Sequence, residues 1–224
     1  MTDLPTSPPD IYQITLLRHG QSAGNAGGIY QGQAEFDLTE TGRQQAQALA
    51  GRWLQEGRSF DQLISSPLAR ARQTAEIVAF SLRLPIEYDD LWMERHNGIL
   101  AGLNQHEAAE RYPRPAFMSP YEPVGRTGES QWDLFLRAGQ AVRQLLRRPP
   151  GRYLVVSHGG LLNMALYAVL GISPQANFQG ARFRFLNTAF AELEYDPGVH
   201  SWLLARLNDR AHWIDPRLVE GEEE

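Results

Sequence analysis

Ile14-Thr15-Leu16-Leu17-Arg18-His19-Gly20-Gln21-Ser22-Ala23-Gly24-Asn25 is the stretch on which the reading of the chain turns. A short, nearly unbroken apolar run leads straight into a cation, an imidazole and a glycine. Such a run reads as a strand buried on both faces, as in a parallel sheet. Arg18 and His19 then emerge at its carboxyl end, where open α/β sheets place their ligands. Gly20, Gly24, Gly27 and Gly28 let the backbone after the strand turn sharply and approach what sits there. A buried strand that ends in charged, donor-rich side chains points to an anion site.

The elements that follow alternate as an α/β chain should. Residues 20–37 form a glycine-rich loop too long for a plain connector. Thr39-Glu40-Thr41 caps a helix with Ala46, Leu49, Ala50, Trp53 and Leu54 at helical spacing, ended by Gly57. Residues 61–65 read as a second strand. Ser66-Pro67 then opens a helix over residues 68–84, with Arg70 and Arg72 in its first turns and Pro85 as its stop. Ile86-Glu87-Tyr88 is a short strand, residues 91–102 a loop carrying Glu94, Arg95 and His96, and Asn104 caps a short helix reaching Tyr112. Residues 113–128 are proline-rich and irregular, and read as a lid. A long helix opens at Gly128-Glu129-Ser130, with Phe135, Ala138, Val142 and Leu145 on one face. Tyr153-Leu154-Val155-Val156-Ser157 is a second fully buried strand, and it too runs into His158-Gly159-Gly160. Beyond the apolar helix at residues 161–170, segments 182–186, 190–195 and 201–207 alternate like strands, the last two joined at Asp196-Pro197-Gly198.

Composition narrows the function. The 224 residues are 42% hydrophobic and 21% charged, as in an ordinary globular domain, and suffice for one good core. A net charge of −5 argues against nonspecific nucleic-acid binding. With no cysteine there is no disulfide, thiolate metal site or cysteine nucleophile. All 21 basic residues are arginine, which rules out lysine chemistry and the lysine-dependent phosphate loop. No apolar run reaches the roughly 18 residues of a membrane span. The polar, proline-rich residues 1–10 lack the plan of a signal peptide, so a cytoplasmic location follows by default. The acidic residues 220–224 cannot bury themselves.

Two buried strands that each end in His-Gly place both histidines side by side if the strands are parallel neighbours. Arg70, at a helix start after the second strand, can join Arg18 there. Arginine forks match phosphate oxygens, and helix N-termini add N–H donors. Such a pocket suits a phosphoryl group and does not suit a divalent cation, and His19 on a rigid strand end can act as a nucleophile.

These residues identify a resemblance. Leu17-Arg18-His19-Gly20-Gln21-Ser22 with Asn25, Ser65-Ser66-Pro67-Leu68-Ala69-Arg70-Ala71-Arg72-Gln73-Thr74-Ala75, Glu94-Arg95-His96-Asn97-Gly98 and Val156-Ser157-His158-Gly159-Gly160 resemble, in order, four motifs of the histidine phosphatase (phosphoglycerate mutase-like) superfamily. The likeness runs from about residue 14 to 163. It implies that His19 accepts the phosphoryl group, that Arg18, Arg70 and His158 hold its oxygens with help from Asn25, and that Glu94 protonates the leaving oxygen and then activates water. Gln31, Gly32 and Gly159 join the expected substrate-binding set. The implied reaction needs positioning and positive charge, with no metal and no cofactor.

Several residues have plainer readings. Arg72, two positions from Arg70, points elsewhere and is assigned to the helix surface. Asn25 could serve only as a helix cap. His106-Glu107-Ala108-Ala109-Glu110 has a glutamate where a zinc-protease helix needs its second histidine, and reads as a solvated face. His200 and His212 are read as structural or exposed.

The expected architecture is a single-domain three-layer α/β/α sandwich with a mainly parallel central sheet. The domain spans residues 11–213, with 1–10 and 214–224 as disordered or peripheral tails. The expected function is a metal-independent phosphomonoesterase that hydrolyses a small phosphate ester through a phosphohistidine. A phosphoglycerate mutase is the alternative, favoured by residues 94–104. Against it, the insert is short and lysine-free, with Arg111, Arg114 and Arg126 only singly placed. A non-catalytic phospholigand-binding module is the third reading. The partner expected is a small-molecule phosphate ester, with no nucleic acid and no membrane. Oligomeric state is open, a homodimer included.

Overall fold

The structure, a computed structural model, describes residues 11–214. Of the expected tails at 1–10 and 214–224, all but the exposed Ile214 lie outside the described residues.

Six strands form one sheet: β1 (Tyr12–Arg18), β2 (Gln62–Ser65), β3 (Ile86–Tyr88), β4 (Arg152–Ser157), β5 (Phe190–Asp196) and β6 (Ser201–Asp209), in the order β3-β2-β4-β1-β5-β6. The first four are parallel; β5 and β6 add an antiparallel edge. Six helices accompany it: α1 (Ala23–Ala26), α2 (Glu40–Gln55), α3 (Ala69–Leu82), α4 (Gln105–Arg111), α5 (Gln131–Leu145) and α6 (Gly159–Leu170).

The three layers follow from the period-2 alternation of buried strands. Ile14, Leu16 and Val155 face α5 and α6 in one core, built with Leu134, Ala138 and Leu162. Leu17, Leu154 and Val156 face the other way and pack with Trp53, Ala75, Val78 and Phe190 against α2 and α3. Both faces are covered, so β1 and β4 can be apolar at nearly every position.

Register sets the site. β1 and β4 pair with Arg18 opposite Ser157, and the His19 amide donates to the Ser157 carbonyl at 3.0 Å. Both strands therefore end level, and the two His-Gly steps leave the sheet side by side.

Four local expectations need correction. Residues 182–186 are not a strand. Side chains supply their backbone partners instead: Asn163 bonds both the amide and the carbonyl of Phe183, and Arg18 Nη1 donates to the Phe185 carbonyl at 2.6 Å. Leu54 is 54% exposed and lies off the apolar face of α2. In α5 the inward residue is Leu134, with Phe135 only half-buried. Finally, α3 starts at Ala69 without a cap from Ser66; the Glu35 carboxylate accepts the Ala69 amide at 2.7 Å.

Candidate active site

The carboxyl ends of β1 and β4 bring Arg18, His19 and His158 together, and the first turn of α3 adds Arg70. His19, Arg70 and His158 are almost wholly buried. The two imidazoles lie 5.1 Å apart, centroid to centroid.

Each ring is oriented by one hydrogen bond. His19 Nδ1 lies 2.6 Å from the Gly20 carbonyl, which can only accept, so Nδ1 carries the proton and Nε2 keeps its lone pair. Burial, with the Arg70 and Arg18 charges beside it, holds His19 well below the ordinary histidine value. It is uncharged at neutral pH. His158 is lowered likewise, by burial first and then by Arg70, His19 and Arg18. Its Nε2 lies 2.8 Å from the Ser66 hydroxyl, and its Nδ1 is buried without a partner. Ser66 thus faces a histidine, and its hydroxyl also accepts the Leu68 amide at 3.3 Å, ahead of the first turn of α3.

The arginines are held from behind. Arg70 Nη1 and Nη2 donate to the Ala34 and Gly32 carbonyls at 3.0 and 2.7 Å. Burial lowers Arg70 to about 10 and lowers Arg18 too, with Glu94 opposing in both, and both remain cations at neutral pH. The Nε atoms of Arg18 and Arg70 are buried with no acceptor. A buried donor left without a partner costs about 1–3 kcal/mol. Three such nitrogens (with His158 Nδ1), on side chains gathered at the ends of β1 and β4 and the start of α3, are donors of the kind an oxyanion would satisfy.

Glu94 reaches the same place from the loop after β3. Its carboxylate accepts from the amides of Arg95, Gly160 and Leu161 at 2.9, 3.0 and 3.2 Å, two of them in the first turn of α6. A Cβ on Gly160 would lie 2.4 Å from Glu94 Oε1, so this approach needs glycine. Gly159 sits beside Arg18, its Cβ position 3.7 Å from Arg18 Nε.

Asn25 sits in a reciprocal cap with Ser22 at the start of α1. Its Oδ1 also accepts from Asn187 Nδ2 at 3.1 Å, which leaves its amide NH2 as the donor it can offer. Gln31 Oε1 accepts from the Ser22 hydroxyl at 2.6 Å, and Gly32 offers its carbonyl to Arg70, so both brace other members of the set. Arg72 is exposed, as assigned. His106 and Glu110 lie on the exposed face of α4, and Glu107 closes its N-terminal cap with Asn104. His200 bonds the Tyr195 hydroxyl, while half-buried His212 bonds Thr188. Among the described residues no group of three or more His, Cys, Asp or Glu side chains is placed to hold a metal ion. None of their helices is long and apolar enough to cross a membrane.

Two contributors escaped the sequence. Arg137 of α5 donates to the carbonyls of Leu91, Met93 and Glu94 and pairs with Glu129, which accepts the His96 amide. One guanidinium therefore fixes the loop that presents Glu94. Asn187 Nδ2 donates to the His19 carbonyl as well as to Asn25. Neither lies within a recognised motif, and nothing in the local sequence separates them from surface residues.

Buried donors at the carboxyl end of a parallel sheet define an oxyanion-binding α/β protein. The family model of the histidine phosphatase superfamily (branch 1) matches residues 14–210, and the chain belongs to that superfamily. It is 41% identical over 165 residues to a metal-independent phosphoserine phosphatase of Arabidopsis thaliana, covering 70% of this chain and 68% of that one. It is 33% identical over 217 residues to a protein of Photorhabdus laumondii named probable phosphoglycerate mutase GpmB, covering 93% and 98%. Among solved structures, a mycobacterial glucosyl-3-phosphoglycerate phosphatase complexed with VO3 superposes with a TM-score of 0.73 at 27% identity, covering 88% of this chain and 99% of that one.

Proposed function

We propose that the protein is a metal-independent phosphomonoesterase that works through a phosphohistidine on His19. One observation carries this reading: an uncharged histidine presents Nε2 among buried arginine and histidine nitrogens that lack acceptors. In the first step the Nε2 lone pair forms a bond to phosphorus while the bond from phosphorus to the ester oxygen breaks. Glu94, entering as the acid, gives its proton to the departing oxygen. Arg18, Arg70 and His158 Nδ1–H hold the equatorial oxygens, with Asn25 and the amide of Gly159 at the rim; Gln31 and Gly32 keep Ser22 and Arg70 in place. Water then attacks phosphorus, the N–P bond breaks, and the Glu94 carboxylate takes the water proton. Loose phosphoryl transfer asks mainly for position and charge stabilisation, which these groups supply.

The relative named a metal-independent phosphoserine phosphatase and the solved phosphatase with VO3 support hydrolysis. The relative named a phosphoglycerate mutase keeps phosphoryl exchange between hydroxyls as a second reading. It also gains from a correction: Arg114 and Arg126 do not stand singly, since both line one cavity with Arg95, Arg182 and Arg184. A cytoplasmic location is part of the proposal and rests on the cysteine-free, spanless sequence. So is a homodimer, for which the edge of β6, unpaired among the described residues and with exposed Leu203 and Leu207, offers a surface.

Phosphate release from p-nitrophenyl phosphate tests the reading. Activity should survive EDTA, and vanadate should inhibit competitively. Loss on chelation with recovery on adding a divalent ion would contradict it. With 3-phosphoglycerate and catalytic 2,3-bisphosphoglycerate, isomerisation well ahead of phosphate release would favour the mutase.

A further inference from the structure

Beside the proposed catalytic groups, across Gly159 and Gly160, opens a cavity of about 1400 Å3. Ligand pockets for small molecules run to roughly 300–1000 Å3, and an amino-acid-sized alcohol would leave most of this one unfilled. Its wall carries Leu134, Met164 and Phe183 from the α5–α6 side and Ile99, Leu100 and Val124 from the lid side.

Its charge is as uneven as its size is large. Arg95, Arg114, Arg126, Arg182 and Arg184 line it against a single carboxylate, Glu122, in a chain whose net charge is −5. None of the five has an ion pair among the described residues. Arg95 is the deepest. Its guanidinium has no hydrogen-bond acceptor there, and its Nε is buried and unpartnered. Burial lowers it from its ordinary value; the Glu94 and Glu129 carboxylates oppose this, and the neighbouring Arg114 adds to it.

Phe178 lies near both, its ring centroid 5.4 Å from the Arg95 guanidinium carbon and 5.8 Å from that of Arg114. To put the ring there the backbone takes left-handed φ values at two successive non-glycine residues, Asn177 (55°) and Phe178 (57°). Such strain is uncommon for a bulky residue and gathers at ligand clamps. The turn is tied to the lid, with the Asn177 amide bonding the Met118 carbonyl and Asn177 Oδ1 accepting the Met118 amide. An apolar chamber with an aromatic ring close to two arginines, one of them with a buried Nε that lacks an acceptor, is complementary to a flat apolar body that ends in an anion.

We infer that the substrate is a large phosphomonoester whose alcohol part carries an apolar, ring-containing body and, distal to the phosphate, a second anionic group. The inference rests on the phosphatase reading and adds the class of alcohol it acts on. The distal anion docks at Arg95 and Arg114; the ring body stacks along Phe178.

Three primary alkyl phosphates with similar leaving groups test it: phosphoserine, 2-(2-naphthyl)ethyl phosphate, and the same naphthyl ester bearing a 6-carboxylate. The expected order of kcat/KM is carboxylated naphthyl over naphthyl by at least about tenfold, and naphthyl over phosphoserine by a similar factor. In Arg114→Gln and Arg95→Gln the ratio of carboxylated to uncarboxylated ester should collapse to about one to two. A merely structural role for these arginines would lower both esters together. Equal rates for the three esters, or a preference for phosphoserine, would overturn the inference while leaving the phosphatase reading intact. If not even p-nitrophenyl phosphate is hydrolysed, the phosphatase reading fails. Calorimetric binding of the matching phosphonates then decides the cavity: tenfold tighter binding of the carboxylated naphthyl compound than of ethylphosphonate supports it, and equal binding overturns it.

Discussion

A nitrogen nucleophile must have a free lone pair and carry no proton, and His19 meets both conditions through its surroundings. The Gly20 carbonyl accepts a hydrogen bond from Nδ1–H and so leaves Nε2 unprotonated, while burial beside two arginines keeps the ring uncharged. Glu94 is oriented by the Arg95 amide and by two amides at the start of α6, and in the proposed reaction its one carboxyl serves both the ester oxygen and an incoming water. Its role predicts a split between leaving groups. In Glu94→Gln, phosphorylation by an alkyl phosphate should fall by roughly 10²–10⁴-fold, the scale of a lost proton transfer. An activated aryl phosphate should still phosphorylate the enzyme at a comparable rate and give a burst of phenolate, since the water step is then unassisted. Rapid-quench kinetics with both esters reads the two steps separately; equal losses would remove Glu94 from the acid role.

Elements bring these residues together, and they differ in how far the sequence announces them. β1 and β4 were legible because a strand covered on both faces is apolar at nearly every position, and each such run stops at Arg-His-Gly or Ser-His-Gly. Their adjacency followed from the parallel-sheet rule. Residues 182–186 misled for the converse reason: Arg182-Phe183-Arg184-Phe185 has strand periodicity, yet Asn163, Arg18 and Asn208 take up backbone groups that a neighbouring strand would have bonded. Periodicity records which faces are wet and dry, not what the backbone bonds to. Arg137 was invisible for a similar reason, because its partners are carbonyls from 43 to 46 residues away. Arg137→Ala should therefore act through the Glu94 loop. It removes three carbonyl contacts and strands the Glu129 carboxylate, so we expect a kcat loss of about tenfold or more on alkyl phosphates, in line with about 1.4 kcal/mol per decade. Aryl phosphates should lose less, and Arg137→Lys should recover part of the difference. Equal loss on both esters would mean that the helix contact is only structural.

At the scale of the whole molecule, a cation-rich site built at the meeting of two buried strands costs stability that an anion restores. An unfolded histidine takes up a proton near pH 6.5, whereas buried His19 and His158 do so only well below that value. Between the two values the unfolded chain binds more protons, so stability is full above pH 6.5 and is lost as pH falls. The slope is about 1.4 kcal/mol per pH unit for each such histidine. His212, lowered to about 4 by burial and the Arg52 charge, adds to the loss in the same direction. Urea unfolding between pH 7.5 and 5 should show this decline, blunted by saturating phosphate, and a flat profile would contradict the buried neutral pair. The claim at the centre of the account is nevertheless chemical: His19 Nε2 bonds to phosphorus during turnover. Rapid quenching of the enzyme mixed with p-nitrophenyl phosphate, followed by peptide mass spectrometry under alkaline conditions that preserve phosphohistidine, measures this directly. The phosphoryl group should appear on His19, more abundantly in Glu94→Gln and not at all in His19→Ala; a label on His158, or turnover by His19→Ala, would contradict it.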